Sequence, residues 1–259
     1  MFDLTALDAA LAGTIFAGKL HFSPVTGSTN NDALAAARGA APHGSVYFAD
    51  EQTAGRGRSD HAWHSAAGEG LYLSVLLRPE IPALRLPLLP LAAGLAASEA
   101  IRDATALAVE LRWPNDLLIG ARKAGGILVE AKSKGSTVAF AVVGIGINVH
   151  QHGFDPSLAT AATSLDLETG HRVDRQALLV SLLKSLEREA LGLLDPAAVE
   201  LVPARVEKAS AWVRGRRVEV HGPQACTGVT DGLDEHGFLL VRTAEGLIHV
   251  QTGGIRDAG

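Results

Sequence analysis

The stretch Ala54-Gly55-Arg56-Gly57-Arg58-Ser59-Asp60-His61-Ala62-Trp63-His64-Ser65 sets the reading of the whole chain. Two glycines alternate with two arginines. Glycine lets the backbone approach an anion closely and tolerates φ > 0, while two guanidiniums grip the anion's oxygens. The pattern predicts a loop that wraps a phosphate. Trp63 follows within reach and offers a flat face on which a base can stack, so phosphate and base together point to a nucleotide. Taken alone, the string also fits a solvated basic loop. The segments around it decide.

Upstream, Leu4–Ile15 has helical spacing and His21–Val25 reads as a strand. Gly13–Lys19 matches G-x-x-x-x-G-K, but Leu20 stands where Ser or Thr must hold magnesium and a helix leads in, so the match is a coincidence. Ser28-Thr29-Asn30 precede an alanine-rich helical run, Asn31–Arg38. Such residues cap helices; with the helix amides they also make a compact pocket for a small neutral head group. Ser45–Ala49 predicts a strand that delivers Asp50-Glu51-Gln52 to the loop.

Downstream, Leu71–Leu77 predicts a strand and Leu86–Asp103 a long buried helix. Val109–Arg112 is a strand that runs into Trp113-Pro114-Asn115-Asp116, and Pro114 biases Trp113 away from helical geometry. Asn115 and Asp116 therefore stand at a strand end. Leu117–Ile119 and Lys123–Ala131 predict a hairpin, whose Gly125-Gly126 marks a bulge or the close approach of a ligand. Thr137–Val149 is a long strand. Its Gly144-Ile145-Gly146 is no dinucleotide fingerprint, because the third glycine is missing and no helix follows. Leu158–Leu167 predicts a short helix, Asp174–Leu194 an amphipathic helix capped by Asp174, and Pro196–Ser210 a further helix. From Trp212 onward, short β runs are broken by Gly222-Pro223, Asp231-Gly232 and Glu235-His236-Gly237, the pattern of a small barrel. The expectation is an α/β catalytic domain over 1–210, a mixed sheet flanked by helices, followed by a small SH3-like β-barrel over 211–259.

Composition narrows the function. With 259 residues, 47% of them hydrophobic, and a net charge of −5, the chain is globular and does not bind nucleic acid through its overall field. The single cysteine, Cys226, excludes an internal disulfide and a cysteine-rich zinc site and fits a reducing compartment, the cytoplasm. No signal peptide or membrane-spanning apolar run is visible. His61 with His64, and His150 with His152, lack a third ligand for a metal site. What remains is a phosphate-gripping loop, a strand-end Asn-Asp pair and a lysine seven residues beyond Asp116. A nucleotidyl transfer to a carboxylate needs these groups: cations for the charge developing on the α-phosphate, and a carboxylate to help hold magnesium. The substrate carboxylate is itself the nucleophile.

These residues carry a resemblance. Gln52-Thr53-Ala54-Gly55-Arg56-Gly57-Arg58 with Trp63, Trp113-Pro114-Asn115-Asp116, Lys123, Gly126-Ile127-Leu128-Val129-Glu130 and Gly144-Ile145-Gly146-Ile147-Asn148 together resemble the biotin protein ligase family. The resemblance runs from Ser28 through the terminal barrel and implies a class II synthetase-like biotin/lipoate ligase fold. It implies an enzyme that joins biotin to ATP, with Mg2+, as biotinyl-5′-AMP and passes biotin to a lysine of a biotin carboxyl carrier domain. Carried over, Ser28, Thr29, Asn30 and Gln52 would surround the biotin head, with Gly126 beside it. Arg56, Gly57 and Arg58 would fold over biotin and the adenylate phosphate. Lys123 would contact the biotin carboxylate and then the phosphate; Lys123, Arg58 and Asp116 form the catalytic set. Gly55, Arg58, Trp63, Asn115, Asp116 and Asn148 would serve ATP, and Asp116 the magnesium triphosphate.

Two features depart from the family pattern. Ser59-Asp60-His61 stand where further basic residues are usual, which lowers the loop charge. The catalytic region begins at once, which implies the monofunctional class, without DNA as a partner. Oligomeric state stays open. Lipoate or octanoate ligation shares the fold, but the doubled Gly-Arg loop argues for biotin. A biotin-sensing, non-catalytic regulator would not need Lys123 and Asp116.

Overall fold

Residues 2–58 and 61–258 are described by the structure, a computed structural model. Helix α1 (Leu4–Ala10) begins at Asp3, whose carboxylate accepts from the Ala6 N–H at 3.0 Å. It stops five residues short of the expected end, ahead of Gly13, which takes φ +81°. Strand β1 (Leu20–Thr26) follows Lys19, whose Nζ donates to the carbonyls of Ile15 at 2.8 Å and His43 at 2.9 Å. That lysine serves the backbone, as rejection of the phosphate-loop match requires.

Helix α2 (Thr29–Arg38) leads to β2 (Ser45–Gln52) and β3 (Gly70–Leu77), and α3 (Leu88–Thr105) leads to β4 (Glu110–Arg112), β5 (Asp116–Ile119), β6 (Arg122–Lys134) and β7 (Thr137–Asn148). The sheet order is β1-β2-β3-β7-β6-β5-β4; β1 and β2 are parallel and every other pair antiparallel. This is the expected mixed sheet. Every residue of β3 is buried, which explains why Leu71–Leu77 reads as a continuous apolar run rather than an alternation. Ala33 and Ala37 set α2 against Leu76, Phe140 and Val142 of the sheet.

The segment predicted as a helix over 158–167 is not helical before Leu165. The Lys123 N–H donates to Ala161 O at 2.8 Å and Thr163 N–H donates to Lys123 O at 2.9 Å, so β6 captures residues 161–163 as a short parallel bridge. Only α4 (Leu165–Thr169) is helical. Helix α5 (Arg175–Gly192) is capped as expected, with Asp174 accepting from Gln176 N at 2.8 Å and Ala177 N at 3.2 Å. Its Leu178, Leu179, Leu182, Leu183 and Leu186 are fully buried, and truncating one to Ala costs about 2–5 kcal/mol. Residues 196–210 form two helices, α6 (Pro196–Glu200) and α7 (Val202–Lys208). Pro203 causes the division, since it has no N–H to donate and its ring crowds the carbonyl of residue 199.

Strands β8 (Arg214–His221), β9 (Cys226–Leu233), β10 (Leu239–Thr243), β11 (Gly246–Val250) and β12 (Gly254–Asp257) form a second sheet, antiparallel throughout, in the order β11-β10-β9-β8-β12. Turn glycines Gly222 and Gly237 take φ +113° and +81°, as their dipeptide signals predict. The expected break at Asp231-Gly232 is corrected, since both residues lie inside β9, where Gly232 takes φ +101° beside a shift in the β9–β10 register. Side chains tie this sheet, and the 210–212 segment that leads into it, to the larger sheet. Trp113 Nε1 donates to Gly237 O at 3.0 Å, the Arg112 guanidinium lies 5.3 Å from the Trp212 ring centre, and the Ser210 hydroxyl donates to Leu111 O. No helix among the described residues is long and apolar enough to cross a membrane.

Candidate active site

A cleft of about 630 Å³ opens beside the start of α2, between the 54–63 loop, β6 and β7, and the segment Thr252–Gly254. Its polar end is built from the helix start. Ser28, Thr29 and Asn30 are buried, yet the Ser28 side chain makes no capping hydrogen bond. Capping therefore does not account for these residues. Gln52, at the end of β2, accepts from the Thr29 N–H at 2.9 Å and donates to Ser65 Oγ at 2.8 Å. Ser74 Oγ lies 2.8 Å from Thr29 Oγ1 and donates to Asn30 Oδ1 at 2.5 Å. Asn30 Nδ2 donates to Glu130 at 2.9 Å.

The Gly-Arg loop folds back on itself. Gly57 N–H donates to His61 O at 2.7 Å, and Trp63 N–H to Gly55 O at 2.9 Å. Neither glycine is left-handed, so the expectation of φ > 0 here is corrected: close packing is the reason for Gly55. A Cβ there would sit 2.8 Å from Ser65 Oγ and closer still to Trp63 O. Gly55 is buried and does not line the cleft, whereas Gly57 does. The two arginines diverge. Arg56 pairs with Glu130 of β6 at 2.9 Å; Arg58 donates to Asn115 Oδ1 at 3.2 Å and to Gly253 O, beside β12, at 2.9 Å. Burial pulls the Arg58 guanidinium below its usual value and Asp116 opposes the shift; an arginine stays charged even so. Ser59 and Asp60, and with them the reading of lowered loop charge, lie outside the described residues.

At the other end of the cleft Asp116 Oδ1 pairs with Lys123 Nζ at 2.6 Å and Oδ2 with Arg112 Nη2 at 2.6 Å. Burial alone would raise the Asp116 carboxyl, but the charges of Lys123 and then Arg112 outweigh it and hold the group below the ordinary carboxylate range. The Lys123 ammonium lies 5.5 Å from the Trp63 ring centre. Trp63 rests on two glycines: a Cβ on Gly146 would come within 2.5 Å of its Nε1, and one on Gly126 within 3.3 Å of its Cζ3. That Nε1 is buried without a partner among the described residues. Asn148 donates to Thr163 O at 3.0 Å, holding the captured 161–163 segment against the cleft. No cluster of three or more metal-ligating side chains occurs among the described residues, and His150 is committed to Asp166 at 2.8 Å.

Residues 22–148 match the Biotin/lipoate A/B protein ligase family. The bifunctional ligase/repressor BirA of Bacillus subtilis is 33% identical over 238 residues, covering 91% of this chain and 73% of that protein. The biotin–[acetyl-CoA-carboxylase] ligase of Mycobacterium tuberculosis is 34% identical, covering 89% and 85%. The biotin protein ligase of Aquifex aeolicus, solved in complex with biotin and ATP, superposes with a TM-score of 0.78 at 31% identity over 92% of this chain and 98% of that one.

The chain belongs to the biotin protein ligase family.

Read as a biotin protein ligase, the chain brings every residue of the expected site except Gly55 to the walls of one cleft. Sequence reasoning missed others. Ser74 sits within an apolar strand, and only its register opposite Gly144 on β7 puts it beside Asn30. Gly144 itself is needed for that amide, because a Cβ there would collide with Asn30 Oδ1. Glu130 was visible in its motif but had no role. Arg112 reads as a strand residue until its contact with Asp116 is seen. Gly253 is contributed from 195 positions away along the chain, a separation at which no sequence spacing is informative.

Proposed function

We propose that the chain joins biotin to ATP as biotinyl-5′-AMP and then transfers biotin to a lysine of a biotin carboxyl carrier protein. The observation that carries this reading is one cleft with a neutral hydrogen-bonding network at one end and Lys123, Asp116 and Arg58 at the other. A cyclic urea has a carbonyl acceptor and two N–H donors. Thr29, Asn30, Gln52 and the unspent Ser28 hydroxyl supply complementary groups for it. Lys123 takes the biotin carboxylate, and its pairing with Asp116 keeps it aimed.

In the first step a biotin carboxylate oxygen attacks the α-phosphorus of ATP, forming the acyl phosphate bond. The bond to the bridging oxygen breaks, and pyrophosphate leaves with its electron pair. Lys123 and Arg58 offset the charge on the oxygens around phosphorus, where such groups are most effective in a desolvated site. In the second step the neutral amine of the carrier lysine attacks the acyl carbon, AMP leaves, and the amine proton passes to solvent. Trp63 offers its ring to adenine, and the 54–63 loop keeps water from the mixed anhydride.

A single carboxylate suits magnesium, which the triphosphate brings with most of its ligands. Both Asp116 oxygens already face cations, so a direct bond to the metal requires Asp116 to exchange one of them. Magnesium supplies charge neutralisation on the triphosphate. The same reading takes 210/211 as the boundary of the catalytic unit, the cytoplasm as the compartment, and no DNA as partner, in keeping with the net charge of −5.

The test is biotin-dependent exchange of labelled pyrophosphate into ATP, with lipoate and octanoate as controls. Exchange supported by octanoate or lipoate and not by biotin would overturn the reading.

A further inference from the structure

Glu130 has no place in the reaction just described, yet it joins two parts of the site. Its Oε2 accepts from Asn30 Nδ2 at 2.9 Å and from Arg56 Nη1 at 3.0 Å, while its Oε1 accepts from Arg56 Nη2 at 2.9 Å. Arg56 Nη1 also donates to Asn31 Oδ1 at 2.8 Å. The pair is partly exposed, with side-chain exposures of 38% for Arg56 and 27% for Glu130, and exposed pairs add little to stability. The shared acceptor is the informative feature.

An ionised carboxylate only accepts hydrogen bonds, so Glu130 forces Asn30 to turn its NH2 toward it and its Oδ1 toward Ser74. Ser74 must then give its one proton to Asn30, at 2.5 Å, so across its 2.8 Å contact with Thr29 only the Thr29 hydroxyl can donate, shared with Gln52 Oε1 at 3.1 Å. The Thr29 oxygen is left as an acceptor. A carboxylate three hydrogen bonds away thus sets the donor and acceptor sense of the whole network. It does so while gripping the arginine that closes the loop.

We propose that Glu130 is a positioning residue: it orients the Asn30–Ser74–Thr29 network for a ureido N–H donor and latches the 54–58 loop through Arg56, so that head-group recognition and loop closure are one event. This rests on the biotin reading above. Occupancy of the head pocket steadies Asn30 against Glu130 and thereby the partner of Arg56. A neutral glutamine in its place can donate as well as accept, so the network loses its fixed sense and the latch loses its charge.

The test uses Glu130→Gln and Glu130→Ala in the full chain. Biotin binding without ATP is measured by calorimetry, and release of preformed biotinyl-5′-AMP by rapid dilution. In each variant that folds, biotin affinity falls and adenylate release rises, both at least fivefold, while ATP affinity without biotin stays within twofold and the loss appears in KM for biotin rather than in kcat. Arg56→Ala also speeds release, and combining it with Glu130→Gln adds little, because partners in one network are not additive. A change below fivefold in either biotin affinity or adenylate release, or ATP affinity lost in parallel, overturns the proposal. So does failure of both variants to fold, which would make Glu130 a structural residue. A parent chain that binds no biotin fails the functional reading instead, whatever Glu130 does.

Discussion

Lys123 and Asp116 form a 2.6 Å ion pair across the β5–β6 hairpin, and the backbone of the same lysine, not its side chain, holds the 161–163 segment. The reactive end of Lys123 and its structural end are therefore separable.

Lys123→Ala keeps both backbone hydrogen bonds and should fold with a melting temperature near that of the parent. It should lose biotin-dependent pyrophosphate exchange by about 100-fold or more, the usual effect of removing one group that stabilises a developing oxyanion. Near-parental exchange in the folded variant would show that Lys123 is not the cation of the reaction.

Asp116→Asn removes the charge between Lys123 and Arg112. At neutral pH it should destabilise the chain by about 3 kcal/mol, the lower end for breaking a largely buried ion pair. The sign with pH follows from the lowered Asp116 carboxyl. The unfolded chain binds this proton first as pH falls below about 3.8, so the parent loses the contribution on going through its folded value, and the variant has none to lose. Denaturant unfolding at successive pH values should show the two stabilities converging in acid; a constant gap would contradict the assignment.

His43 gives a second pH signature. Its Nδ1 accepts the Arg78 N–H at 2.9 Å, and burial first, then Lys19 and Arg78, lowers its pKa from 6.5. The unfolded chain therefore takes up this proton first. Stability should decline from about pH 6.5 down to the lowered folded value and level off below it, for this group. His43→Asn should flatten that step in thermal unfolding scans, and an unchanged profile would assign the step elsewhere.

The two β7 glycines should separate the two ends of the cleft. Gly144→Ala places a methyl against Asn30 Oδ1 and should weaken biotin binding, whereas Gly146→Ala places one against Trp63 and should weaken nucleotide binding. Overpacking costs about 1–3 kcal/mol, so each loss should be on the order of 10-fold. Calorimetric titration of each variant with biotin and with ATP reads this directly; equal losses of both ligands in both variants would argue against two distinct ends.

Arg58→Gly removes the link from the loop to Asn115 and Gly253. A hydrogen bond from a charged group contributes about 1.5–3 kcal/mol, so biotinyl-5′-AMP should escape on the order of 10- to 100-fold faster and label lysines of bystander proteins. Adenylate formation should continue more slowly, because Lys123 still faces the phosphate while the charge of Arg58 is lost. Release at the parental rate, with no bystander labelling, would show that Arg58 does not contain the intermediate.

The local chemistry of this protein is written in its sequence. Helix caps at Asp3 and Asp174, the leucine stripe of α5, the turn glycines and the motif order all depend on neighbours within a few residues, so pattern and propensity determine them. The cation, carboxylate and loop arginines were legible for the same reason. What tertiary structure decided is every feature that depends on register or long-range capture. The 161–163 segment became extended because β6 offered unpaired backbone groups, overriding its helical pattern. Ser74 joined the head pocket because β3 and β7 pair Ser74 with Gly144, and Gly253 met Arg58 because the second sheet packs against the first. Gly55 and Gly57 read alike in sequence, but only packing against Trp63 and Ser65 shows that Gly55 serves the loop interior. Glu130 is the sharpest case: its motif is local, but its work is to hold two residues that the chain places 74 and 100 positions away, and only folding brings those three charges and dipoles into one network.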